Sequence, residues 1–141
     1  MTAKDAKVTW QGGLAFEGTA GSGFSVRLDT TPEEGGGTGF GPMELLLVGL
    51  ASCTAMDVIS ILKKKRQDVT SFEVRAHGLR ADDHPRSFTD ITLEFIVRGR
   101  NIDPKAIERS IELSESKYCS VMGTLRKAPN VTTTYRVEEA T

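Results

Sequence analysis

The hydrophobic pattern changes period along this chain, and each change marks an element. Over residues 7–11, 14–18 and 24–29 apolar and polar positions alternate, the period of half-buried strands. Gly12-Gly13 and Thr19-Ala20-Gly21-Ser22-Gly23 separate these runs and predict a three-stranded meander with glycine-rich turns. Residues 30–41, with Pro32, Gly35-Gly36-Gly37 and Gly39, predict a flexible linker. The pattern then turns apolar on nearly every face from Pro42 to Leu62, which predicts one long helix. Pro42 suits the first helical position, and Glu44 falls near the positive end of the dipole. Phe40 and Leu45 have the spacing of a hydrophobic staple, and Lys63-Lys64-Lys65-Arg66 place cations at the negative end.

Alternation returns over 71–79 and 91–97, joined by the polar stretch 80–87, and predicts a long antiparallel hairpin. Asp103-Pro104 is an N-cap with proline in the first turn. The helix that it starts should bury Ile107 and Ile111, with Ala106 and Leu113 beside them. Residues 114–119 turn a corner into a short segment, 120–127, and 131–137 predicts a final strand. The order is βββ-α-ββ-α-(α)-β, an α+β fold with a mainly antiparallel sheet in one domain, residues 1–141.

Composition narrows the function. The chain has 141 residues, 38% hydrophobic and 26% charged, which is enough to build a core without staples. A net charge of −1 supplies no footprint for nucleic acid or an anionic membrane. The long helix has the length to cross a bilayer, but Ser52, Asp57 and Ser60 interrupt it, so it reads as a central helix buried on all sides. The polar N-terminus lacks the apolar segment of a signal peptide, which argues for the cytoplasm. The glycine triplet is followed by no GK[ST], so it is a linker and not a phosphate cradle. Two cysteines are too few for a zinc site, and neither histidine has ligand spacing to them.

Those two cysteines are the candidate chemistry. Cys53 lies mid-helix among Gly49, Ala51, Ser52, Thr54 and Ala55, small residues that suit close packing and equally a ligand pocket. Asp57, one turn on, would raise the pKa of that thiol unless a cation intervened. Cys119, after Ser116-Lys117-Tyr118, is placed at a helix N-terminus beside a cation, and both features favour thiolate. Whether the two meet in space is open at this stage.

Pro42-Met43-Glu44-Leu45-Leu46-Leu47, Ala51-Ser52-Cys53 and Tyr118-Cys119-Ser120-Val121 resemble the OsmC/Ohr family of osmotically induced and organic hydroperoxide resistance proteins. The element order agrees, so the resemblance covers essentially the whole chain. It implies an intertwined homodimer built on the long helix, with no cofactor and no metal. It also implies that Cys53 is peroxidatic, attacking the distal oxygen of an organic hydroperoxide, and that Cys119 resolves the sulfenic acid as a disulfide, which an external thiol reduces. Such a protein serves the oxidative stress response. The family's peroxidases hold the thiolate with an Arg after the first Gly-Gly and a Glu ten residues before the cysteine. Here those places are Leu14 and Met43. Glu44, nine before Cys53, falls on the opposite helix face at about 100° per residue, so capping is its better role. His84 and Arg86 in the hairpin loop are candidate cations from across a dimer. The chain thus resembles a less characterised subgroup. A small apolar ligand bound around the central helix is the alternative function, and two inert core cysteines a third reading.

Overall fold

The computed structural model describes residues 1–140 and follows the expected element order closely. Three strands, β1 (Ala6–Trp10), β2 (Phe16–Ala20) and β3 (Ser25–Leu28), pair antiparallel in the order β1-β2-β3. Trp10 faces Phe16 across the first turn and Phe16 faces Leu28 in the next pair. The second strand starts two residues later than its alternation suggested. Gly12 (φ 101°) and Gly13 (φ 55°) widen the turn, and Ala15 N–H donates back to the Gly12 carbonyl at 3.0 Å, which takes Leu14 out of the strand.

Residues 30–41 are tied down, where a flexible linker was expected. The Asp29 carboxylate accepts from Thr30 N–H (2.7 Å), Thr38 N–H (3.2 Å) and the Thr38 hydroxyl. Asp29 N–H donates to the Phe40 carbonyl and Phe40 N–H to the Arg27 carbonyl, both at 3.0 Å, so the loop closes back on β3. Glycine is required where the two segments meet: a Cβ at Gly39 would fall 2.4 Å from the Arg27 carbonyl oxygen.

Helix α1 (Pro42–Lys64) starts as the sequence signals predict, with Pro42 first and the Glu44 carboxylate accepting from Gly41 N–H at 2.9 Å. It ends where Arg66 takes φ 55° and Gln67 N–H donates to the Leu62 carbonyl. The hairpin β4 (Asp68–Arg80) and β5 (Phe88–Arg100) follows, each strand 13 residues long. Then come α2 (Pro104–Leu113), a π-helical turn (Ser114–Tyr118) and α3 (Ser120–Arg126). Asp103 caps α2 by accepting from Lys105 N–H at 3.0 Å.

The chain forms two compact units. One comprises Met1–Ser52 and Glu73–Ile96, the other Cys53–Phe72 and the residues from Val97 onward. In the first, Ala15, Leu50 and Asp29 are buried. In the second, Thr54, Val58, Leu62, Ala106, Ser110, Ser114 and Cys119 are.

Three expectations change here. The buried stripe of α2 is Ala106 and Ser110, continued by Ser114 in the π turn; Ile107, Ile111 and Leu113 are only half-buried. Small side chains let this face pack closely, and the hydroxyls are satisfied internally: Ser110 Oγ donates to the Ala106 carbonyl at 2.6 Å. Helix α1 is not buried on all sides in the single chain, because Met56 is 68% and Val48 47% exposed. It meets the length and hydropathy requirements of a bilayer span, with a mean hydropathy of 2.1 over its most apolar window. Yet Thr54 and Asp57 are hydrogen-bonded to Ser114, as a protein-packed helix requires. Finally, residues 131–137 form no strand in the single chain; Val131, Tyr135 and Val137 are exposed.

Candidate functional site

Both cysteines belong to the second unit, and both are free thiols. Cys53 sits on α1, half-buried; Cys119 is buried, only 5% exposed, as the N-cap of α3. The fold brings them near one another, since Cys53 is close enough to the Cys119 thiol to raise its pKa.

The π turn explains how Cys119 arrives there. Cys119 N–H donates to the Ser114 carbonyl at 2.8 Å, five residues back rather than four. That extra residue breaks the register of α2, and the next helix starts afresh at Ser120. The Cys119 sulfur then accepts from Met122 N–H at 3.4 Å.

The expectation of a thiolate at Cys119 is reversed. Burial pushes its thiol above the ordinary cysteine value. The amides of Met122 and Val121 pull it down, whereas Cys53 raises it further by hydrogen bonding and charge. Burial outweighs those amides, which belong to a helix of only seven residues. Cys119 therefore waits as a protonated thiol at neutral pH.

Asp57, expected to act on Cys53, is engaged elsewhere. Ser114 Oγ donates to Asp57 Oδ2 at 2.9 Å, and Thr54 Oγ1 lies 2.8 Å from the same Ser114 hydroxyl. Neither Thr54 nor Ser114 had a signal in the sequence: Thr54 read as a small neighbour of Cys53, and Ser114 as part of a corner. A cleft of about 350 Å³ opens beside this network, lined by Asp57, Ser60, Ile61, Lys64, Leu113 and Tyr118. Among the described residues no group of three His, Cys, Asp or Glu side chains is placed to hold a metal ion.

In the first unit, Leu14 is exposed and Met43 half-buried, and neither brings a charge. His84 and Arg86 are exposed in the hairpin loop, where the Arg86 carbonyl accepts from Arg80 Nε at 2.8 Å. A second cleft there, about 480 Å³ and open, is lined by Val26, Arg27, Gly37, Gly39, Phe40 and Glu44.

Residues 35–134 match the family model described as OsmC-like protein. The chain belongs to the OsmC-like family. It is 43% identical to protein YhfA of Escherichia coli K12 over 135 residues, 96% of this chain and 98% of that one. A crystal structure of a hypothetical protein from Aquifex aeolicus VF5 superposes with a TM-score of 0.80 at 32% identity, covering 92% of each chain. The OsmC fold likeness extends to an organic hydroperoxide resistance protein from Legionella pneumophila, with a TM-score of 0.63, 15% identity and coverage of 90% of this chain and 91% of that one.

Proposed function

We propose that this OsmC-like chain is a thiol-dependent hydroperoxide reductase of the oxidative stress response, with Cys53 peroxidatic and Cys119 resolving. The observation that carries the reading is the asymmetry of the two neighbouring free thiols. Cys53 is accessible enough to meet a peroxide. Cys119 is buried, only 5% exposed, so a peroxide reaches it less readily and it is left for the second step. The distant fold relative from Legionella pneumophila is an organic hydroperoxide resistance protein, in keeping with this choice.

The Cys53 thiolate attacks the distal peroxide oxygen, the O–O bond breaks, and the alkoxide leaves with a proton as an alcohol. Cys53 is then a sulfenic acid, oxidised by two electrons. The Cys119 sulfur displaces the sulfenic oxygen, which departs with two protons as water, and the S–S bond forms. Two equivalents of an external thiol reduce that disulfide and leave as their own disulfide. The apolar surroundings of α1 favour organic hydroperoxides over hydrogen peroxide. The exposed apolar face at Val48 and Met56 suits a second copy of the chain, so the working form is a homodimer, placed in the cytoplasm.

A second reading is favoured by Leu14 and Met43, which bring no charge to the places where family peroxidases keep an Arg and a Glu. On that reading a small apolar ligand occupies the surroundings of α1, and the thiols are a redox latch. Substitution at the thiols separates the two. Under the enzyme reading, Cys53→Ser abolishes consumption of cumene hydroperoxide with a dithiol reductant. Cys119→Ser leaves a single turnover that ends in a dimedone-trappable sulfenic acid on Cys53. Equal peroxide consumption by the parent and both variants would rule the enzyme out.

A further inference from the structure

The corner between α2 and α3 holds more hydrogen bonding than a chain reversal needs, and it converges on one residue. Ser114 Oγ carries a single proton, and the bond to Asp57 Oδ2 uses it. The 2.8 Å contact with Thr54 must then run the other way, with Thr54 donating. The chain is directed: Thr54 hydroxyl to Ser114 hydroxyl to Asp57 carboxylate. On its backbone side the same residue accepts the Cys119 N–H at 2.8 Å. Thr54 follows Cys53 directly in α1. One side chain and one carbonyl of Ser114 therefore tie together the two backbones that carry the thiols.

Thr54 and Ser114 are both 0% exposed, so water cannot substitute for either partner. Buried hydroxyls cost more than apolar groups of equal volume, and packing alone would be served by alanine and valine. What the hydroxyls add is direction, since a hydrogen bond weakens steeply off its axis whereas apolar contact does not. Direction is what disulfide closure needs: the two Cα atoms must come within about 7 Å and the C–S–S–C dihedral near 90°.

We propose that Ser114 is a positioning residue for the thiol pair, and that its bridge from Thr54 to the Cys119 amide holds the two sulfurs in register for disulfide closure. Asp57 fixes the rotor of the Ser114 hydroxyl and so completes the device. The inference rests on the assignment of Cys53 and Cys119 as the reacting pair. The step concerned is the condensation of the Cys53 sulfenic acid with the Cys119 thiol, in which water leaves. The same closure in a glutathione buffer oxidises both thiols, while one glutathione disulfide is reduced to two glutathiones.

The test compares Ser114→Ala, Thr54→Val and the conservative Thr54→Ser in the full chain. The effective concentration of the pair is measured by equilibration against reduced and oxidised glutathione, which needs no peroxide. Ser114→Ala and Thr54→Val should lower it about tenfold or more, about 30 mV in potential, while Thr54→Ser stays within about twofold of the parent. With cumene hydroperoxide the two disruptive variants should accumulate a dimedone-trappable sulfenic acid on Cys53. The parent should not, and the first oxidation should keep its rate. Thr54→Val is nearly isosteric and decides the matter if Ser114→Ala does not fold.

An unchanged glutathione equilibrium in Thr54→Val, beside a lowered melting temperature, would reduce the network to plain core structure and overturn the proposal. So would a parent that forms no Cys53–Cys119 disulfide in any glutathione buffer. A parent that closes in glutathione yet ignores every hydroperoxide would refute the peroxidase reading alone. The variants would still decide the role of Ser114.

Discussion

Asp29 and Asp57 each accept a hydroxyl hydrogen bond, from Thr38 and from Ser114, yet the two arrangements belong to different levels of the fold. Asp29 gathers partners from nearby in sequence, Thr30 and Thr38, and Arg27 Nε adds a bond to the Thr38 hydroxyl at 2.9 Å. Its product is local: a glycine-rich loop closed onto β3. Asp57 takes its hydrogen bond from Ser114, 57 positions away, whose hydroxyl also meets Thr54 beside one thiol and whose carbonyl accepts the amide of the other. A local knot can re-form around a substitution because its partners stay tethered by the short chain between them. A long-range one exists only in the folded state, so damage to it reaches whatever its ends hold. The same hydroxyl–carboxylate chemistry therefore orders a loop in one unit and, in the other, joins the helix that carries Cys53 to the segment that carries Cys119.

The largest expected effect lies in the buried core of the second unit. Leu62 is 0% exposed, and Leu62→Ala should cost about 2–5 kcal/mol in urea unfolding. A cost well under 1 kcal/mol would mean that the second unit is far looser than described. In the loop, Gly39→Ala forces a Cβ against the Arg27 carbonyl and should cost about 1–3 kcal/mol. Amide exchange should quicken over residues 30–41, with Cys53–Cys119 closure unchanged. A shift in closure would erase the distinction between the two knots. Smaller still, Asp103→Ala removes the cap of α2 at about 1 kcal/mol, read in the same unfolding experiment. An effect several times larger would show that the helix start governs more than its own first turn.

Acidity sharpens the comparison from opposite sides. The Thr38 hydroxyl, followed by the Thr30 amide, lowers the Asp29 pKa, so its contribution is present above the ordinary carboxylate value of about 3.9. It is lost as the pH falls through the depressed native value, and Asp29→Asn should remove this acid dependence. Cys119 is raised, chiefly by burial, so the native state keeps a proton that the unfolded chain gives up above about pH 8.5. Its contribution is complete below that pH and fades as the pH rises through the native value. The pH midpoint for iodoacetamide labelling of Cys119 in Cys53→Ser should therefore lie above that of free cysteine. A midpoint below it would mean that the helix-end amides, not burial, control the thiol.

What was legible in the sequence was what short-range rules determine. Pro42, Glu44 and the Asp103-Pro104 pair marked helix starts because their partners lie within one turn, and the alternation of 71–79 and 91–97 gave the hairpin. The loop at residues 30–41 misled because glycine signals freedom whether it serves a flexible chain or a close approach such as Gly39 on Arg27. The stripe of α2 misled because Ile107 and Ile111 outweigh serines on any hydrophobicity scale, whereas Ser110 and Ser114 were buried by hydrogen bonds. The pairing of Cys53 with Cys119 came from family resemblance, and the protonated state of Cys119 was missed. Its helix is too short and its burial too deep for the dipole to prevail. Thr54–Ser114–Asp57 was invisible, since nothing local records a contact across 60 positions.

The central claim is tested most directly by counting free thiols on the reduced protein before and after one equivalent of cumene hydroperoxide, with hydrogen peroxide in parallel and peptide mapping of the product. The account predicts rapid loss of both thiols to the organic hydroperoxide, slower loss to hydrogen peroxide, and one linked peptide joining Cys53 to Cys119. Two thiols that survive for minutes in the organic hydroperoxide would contradict it.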